Sequence, residues 1–154
     1  MITIGERVFV PHPPEVVWSV LSDPHKVVGC IDGSELGEYH EDGSFDARIA
    51  VRFAGIKVSF GARANLVLDE VERTGRLEAR GSDSRGSTRV HGHADYAVVP
   101  EGEGTVVTLE GKVEISGALA SLVTTGASIV VSRMTKSFTS SLTATCAQME
   151  ESNR

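Results

Sequence analysis

Between residues 44 and 115, apolar side chains recur at every second position, one run after another. Phe45, Ala47, Ile49, Val51 and Phe53 share one phase, with Asp46, Arg48 and Arg52 in the other. Val58, Phe60, Ala62, Ala64, Leu66 and Leu68 alternate with Lys57, Ser59, Arg63, Asn65 and Asp69. Leu77, Ala79 and Gly81 follow, then Val90, Gly92, Ala94, Tyr96 and Val98, then Val107, Leu109, Gly111, Val113 and Ile115. Successive side chains on a strand point to opposite faces, so each run has one dry face and one wet face. Short turns such as Glu41-Asp42-Gly43, Ala54-Gly55 and Glu101-Gly102-Glu103-Gly104 separate the runs. Strands joined this tightly pair antiparallel, and their dry faces add up to one apolar surface that needs a cover.

The cover is legible from Gly117 onward. No proline interrupts the chain there, and Leu119, Leu122, Val123, Ile129, Val130, Met134, Phe138, Leu142, Cys146 and Met149 recur with the period of a helix face. A helix from Gly117 to about Glu150 would be on the order of 50 Å long, with Ser116 as its expected cap. Ser and Thr fill the intervening positions and are mediocre helix formers, so this helix needs something to lie on. Upstream, residues 2–10 read as a strand. Pro14 and Glu15 suit the first turn of a short helix carrying Trp18, and a second short helix is expected from His25 to Cys30. The order is strand, two short helices, about six strands and a long helix. That predicts an α+β helix-grip fold: a curved antiparallel sheet of six or seven strands wrapped round the last helix, with residues 1–154 as a single domain.

Composition limits the function. The net charge is −6 and no Lys/Arg run occurs, which argues against nucleic acid as a partner. Cys30 and Cys146 are far apart and read as buried apolar residues. No basic-then-apolar leader and no span of 18 apolar residues is present, so a cytoplasmic location is expected. His91, His93 and Asp95 share a strand face, but Arg89 stands beside them, and a solvated face is expected there in place of a metal site. No nucleophile elbow or phosphate-cradling loop is found. Glu6, Glu35 and Glu38 are within reach of a cavity mouth by chain position, but they form no acid–base pair recognisable by spacing. No cofactor and no catalytic residue is assigned.

Several segments together carry a resemblance. They are Phe9-Val10-Pro11, Pro14 to Pro24 with Trp18, Cys30-Ile31-Asp32-Gly33, Asp42-Gly43-Ser44-Phe45, Gly55 to Gly61, Gly104-Thr105 and Ser116 to Ala120. In order and spacing this chain resembles the START-like (SRPBCC) superfamily, and within it the family named for the G subunit of carbon monoxide dehydrogenase. Asp32 stands where that family usually has proline. The sequence stops at Arg154, so the tail or membrane anchor of some relatives is not expected. The resemblance implies a fold that holds lipophilic ligands. Some relatives accompany molybdenum hydroxylases of the carbon monoxide dehydrogenase type and handle a quinone-like carrier, and the resemblance implies such a partner and ligand here. The same superfamily contains enzymes of the polyketide cyclase or dehydratase type, which keeps that alternative open.

The inward phase is poor in bulk: Ala47, Ala62, Ala64, Ala79, Gly81, Gly92, Ala94 and Gly111. Interiors pack densely, so small side chains must be matched by large ones or by a guest. An apolar cavity between sheet and helix is therefore expected, binding a small hydrophobic molecule without catalysis. Its candidate lining is Trp18, Cys30, Ile31, Phe45, Phe60, Tyr96, Leu122 and Met134. Tyr96 supplies a hydroxyl that either bonds backbone or meets the ligand.

Overall fold

The computed structural model describes residues 2–31, 33–53, 55–118 and 120–152. The expected turn residues Asp32 and Ala54 lie outside the described residues, as do Leu119 and the side chains of Phe53, Leu122, Val123, Thr124 and Ala127. The elements are β1 (Ile2–Val10), α1 (Pro14–Leu21), α2 (Pro24–Gly29), β2 (Ser34–Tyr39), β3 (Phe45–Phe53), β4 (Ile56–Asp69), β5 (Thr74–Asp83), β6 (Thr88–Glu101), β7 (Gly104–Gly117) and α3 (Ala120–Ser152). The strands form one antiparallel sheet in the order β1-β7-β6-β5-β4-β3-β2. The first strand thus closes onto the last, and the rest is a meander.

Local chemistry sets the helix ends. Pro14 opens α1 with Glu15 in its first turn, where the missing N–H costs nothing and the acid meets the positive dipole end. At the other end the Ser22 hydroxyl donates to the Trp18 carbonyl at 2.7 Å. The Asp23 carboxylate accepts from the His25 N–H at 2.9 Å and starts α2. One expectation fails. Ser116 does not cap α3, because β7 runs on to Gly117 and Ser116 is paired with Arg89 in the ladder. The chain leaves the strand at Gly117, whose φ of 107° suits glycine, and the helix begins at Ala120.

α3 has 33 residues, so it is about 50 Å long. No helix of the described residues is long and apolar enough to cross a membrane. Its Ser and Thr hydroxyls turn back on the helix: Thr139 donates to the Thr135 carbonyl and Thr145 to the Ser141 carbonyl. A hydroxyl bonded this way can face an apolar layer without a desolvation penalty.

The sheet bends over the helix along a diagonal of glycines, Gly81, Gly92 and Gly111, on three adjacent strands. A Cβ at each would come within 2.0–2.7 Å of backbone oxygen on the neighbouring strand. The small residues of the dry face are thus partly a requirement of curvature, since the strands crowd on the concave side.

Two packed clusters join helix to sheet. The first contains Val10, Val17, Trp18, Val20, Leu21, Cys30, Val98, Val107, Leu142 and Cys146. The second is built on Val58 and Phe60, with Ile2, Ile49, Val51, Val90, Ile115 and Val130 packed against it.

Candidate functional site

The concave face is described best in rows across the sheet. One row is Glu6–Leu109–Tyr96–Gly75–Leu68. The next is Ile4–Gly111–Ala94–Leu77–Leu66, and the next Ile2–Val113–Gly92–Ala79–Ala64. Tyr96 packs on the first cluster and Ile2 on the second. Ile4, Ala94, Leu77, Leu66, Gly92, Ala79 and Val113 belong to neither, and each stays partly exposed. The middle of a sheet covered by a helix should be its best-buried part. Here the packed groups lie to either side of a centre floored by small and medium apolar residues.

Glu6 stands at the edge of that centre. Ile2, Ile4, Glu6, Val8 and Val10 are the less exposed phase of β1, so the carboxylate shares the concave phase with four apolar side chains. Its ladder partner is Leu109. No hydrogen bond or ion pair reaches it among the described residues. Tyr96 is two strands away in the same row, about 10 Å across the sheet at strand spacing. Its hydroxyl donates to the Leu21 carbonyl at 2.6 Å, and burial pushes its pKa up to about 12. Gly75 makes room for the Tyr96 ring, which occupies the space a Cβ would take.

The structure divides the eight candidate residues. Trp18, Cys30 and Tyr96 come together at one end of α3, in or against the first cluster. There the Trp18 indole N–H donates to Glu70 at 2.7 Å, and the Cys30 thiol lies 3.7 Å from the Thr145 hydroxyl. Burial raises the pKa of Cys30, and it pushes Cys146 up to about 11. Both thiols are therefore held protonated in packed surroundings. Phe60 belongs to the second cluster. Phe45 is buried next to Ala64 in the ladder, and its ring lies 5.6 Å from that of Tyr39. Ile31 follows α2, and Met134 on α3 is partly buried. The backbone of Leu122 is helical, but its side chain lies outside the described residues. On the opposite face, Arg76 bonds Asp95, with His93 3.9 Å from the same carboxylate. Glu6, which spacing motifs do not single out, falls in the concave phase of β1. Its signal is phase: an acid where the alternation of β1 calls for an apolar side chain.

A seven-stranded antiparallel sheet gripping a long last helix, with two short helices after the first strand, defines a START-like (SRPBCC) protein. Solved structures share this fold. A conserved protein from Geobacillus kaustophilus aligns over 96% of both chains, at a TM-score of 0.82 and 21% identity. The Zhui aromatase/cyclase from a Streptomyces species aligns over 96% of this chain and 94% of its own, at a TM-score of 0.61 and 17% identity. Norcoclaurine synthase from Thalictrum flavum, in complex with dopamine and hydroxybenzaldehyde, aligns over 96% of this chain and 87% of its own, at a TM-score of 0.62 and 14% identity. No curated protein matches by sequence. Residues 7–147 match the model of CoxG, the G subunit of carbon monoxide dehydrogenase, and the chain belongs to that family.

Proposed function

We propose that the protein binds a small, mostly apolar molecule between the sheet and α3, as a non-catalytic carrier working as one domain in the cytoplasm. The observation that carries this reading is the centre of the concave face. Ile4, Leu66, Leu77, Ala79, Gly92, Ala94 and Val113 there join neither packed cluster and keep partial exposure, while Gly111 and Ala64 beside them are buried. Burying ligand surface there contributes roughly 25 cal/mol per Å² before association costs. Phe60, Met134, Leu122, Phe45 and Ile31 would bound the ligand toward the second cluster and the mouth. Trp18, Cys30 and Tyr96 would close the other end. Glu6 would orient the ligand through one polar contact, as lone polar groups do in apolar pockets.

The ligand class is quinone-like, lipid or aromatic. A relative of the same fold holds two aromatic compounds, and the family's description names carbon monoxide dehydrogenase. A molybdenum hydroxylase of that type is the partner proposed for the loaded carrier. A cyclase or dehydratase reading gains from the presence of a carboxylate on the concave face. It needs a second group to exchange protons with Glu6. Tyr96 is poorly placed for that, with its hydroxyl committed to Leu21 and its pKa pushed up to about 12.

The test is organic extraction of the purified protein followed by mass spectrometry. A hydrophobic compound near one per chain, absent from a control protein purified identically, is expected. An extract matching the control, from protein that also fails to take up quinones, fatty acids and aromatic compounds, would overturn the carrier reading.

A further inference from the structure

The convex face of the sheet carries a second feature, unconnected with the concave side. In a chain of net charge −6, four arginines gather on it across four adjacent strands. Arg63 of β4 and Arg80 of β5 are directly opposite in the ladder. In the neighbouring row, Arg48 of β3 and Arg89 of β6 flank the Gly61–Ser82 pair. At strand spacing the whole group spans about 14 Å. All four side chains are exposed.

Their charges are poorly compensated. Arg7 bonds Glu101, and Arg76 bonds Glu78 and Asp95. Arg52, Arg73, Arg85 and Arg133 make no ion pair among the described residues, so what marks this group is four arginines on adjacent strands. In this group the nearest carboxylate contact is Arg63 to Asp46 at 3.9 Å, and that carboxylate already accepts from His40 at 2.9 Å. Arg48, Arg80 and Arg89 make no ion pair among the described residues. Like charges directly opposite on a sheet destabilise it, so Arg63 facing Arg80 is a cost that the fold itself does not explain.

The surface between them is shaped to be covered. Two shallow clefts adjoin the group. One, of about 400 Å³, is walled by Arg48 and Arg63 over Gly61. The other, of about 500 Å³, is walled by Arg80, Arg89 and His91. A side chain at Gly61 would meet nothing within 4 Å, so the backbone there is open to contact. Carboxylates bound the group on both sides, with Glu35 and Asp46 at the first cleft and Glu114 at the second.

We propose that this face docks a carboxylate-rich segment of a partner protein, lying across β3 to β6 and pairing with Arg48, Arg63, Arg80 and Arg89. Planar guanidinium groups match carboxylates two bonds at a time. The flanking acids narrow the positive zone to a strip. That fits an extended acidic segment and opposes a broad anionic plane such as a membrane.

The test uses the full chain and a fluorescein-labelled peptide of ten glutamates, followed by anisotropy at 50 mM salt. Saturable binding is expected, weakened at least tenfold at 500 mM salt. The Arg63→Glu/Arg80→Glu variant should weaken it at least tenfold more than Arg133→Glu on α3 does. Melting curves check folding, and Arg63→Gln/Arg80→Gln replaces the charge reversal if that variant does not fold. Equal peptide binding by the wild type and the folded double variant would overturn the proposal. So would no binding of the peptide at 50 mM salt. Arginine-dependent binding of inorganic tripolyphosphate or phosphatidylserine vesicles without peptide binding would also overturn it, and would assign the strip to phosphate.

Discussion

Leucine in place of Ala94 is expected to lower affinity for an apolar ligand at least 100-fold while leaving a folded protein. Ala94 sits on β6 between Leu77 and Gly111 in the ladder, in the row next to the first cluster. It is inward, partly exposed and outside both packed clusters. Three added carbons there would project toward α3, into the volume that a ligand needs. Ala64 has the same phase but is only 3% exposed, so leucine at that position would strain packing instead of filling space. Overpacking at Ala94 is expected to cost no more than about 1–3 kcal/mol. The chain has one tryptophan, Trp18, and it lies in the cluster beside that row. Titration with 2-methyl-1,4-naphthoquinone, followed by Trp18 quenching, gives the affinity, and melting curves check the fold. Wild-type affinity in a folded Ala94→Leu protein would place the ligand elsewhere.

Leu142→Ala is expected to destabilise the protein by about 3 kcal/mol, within the range for buried leucine truncations. Leu142 is 0% exposed and lies among Val10, Val17, Val20, Val98, Val107 and Cys146. It is where the long helix locks onto β1, α1 and the central strands. A helix rich in Ser and Thr has little stability of its own, so losing this contact loosens its C-terminal half as well as leaving a cavity. For a domain with a total stability of about 5–15 kcal/mol the loss is large. It should lower the melting temperature by roughly 6–12 °C. Ile129→Ala, on the same helix but 64% exposed, should change stability by about 0.5 kcal/mol or less. Urea unfolding measures both. A loss below about 1 kcal/mol at Leu142 would mean that the helix is held mainly elsewhere.

Most of this architecture is written in two periods. The alternation from Phe45 to Ile115 defines the sheet and which phase faces inward, because a one-residue slip would expose every apolar side chain. The three-and-four spacing from Leu122 to Met149 marks α3. What local patterns do not carry is long-range closure. The pairing of Glu6 with Leu109 across β1 and β7 is invisible to spacing, and with it which residues of β7 and β6 share the acid's row. The start of α3 escapes local reading for a related reason. Ser116 has a capping residue's chemistry, but the ladder with Arg89 holds it in the strand.

The candidate site is only half legible in the same way. Alternation shows a floor of small residues, but not that glycine at 81, 92 and 111 also serves the bend. Sequence alone offers Trp18 and Cys30 as candidate lining. In the fold they are packed under the C-terminal half of α3. The hydroxyl of Tyr96 is inward as expected, yet its bond to Leu21 depends on where α1 lands, which no local pattern specifies.

The most direct test of the open centre is a crystal of the protein soaked with a brominated naphthoquinone, with anomalous scattering locating the bromine. The account predicts a peak between Ala94, Ala79 and Met134, within reach of Glu6. A peak confined to the convex face, or a centre closed by side chains with no bromine in it, would contradict it.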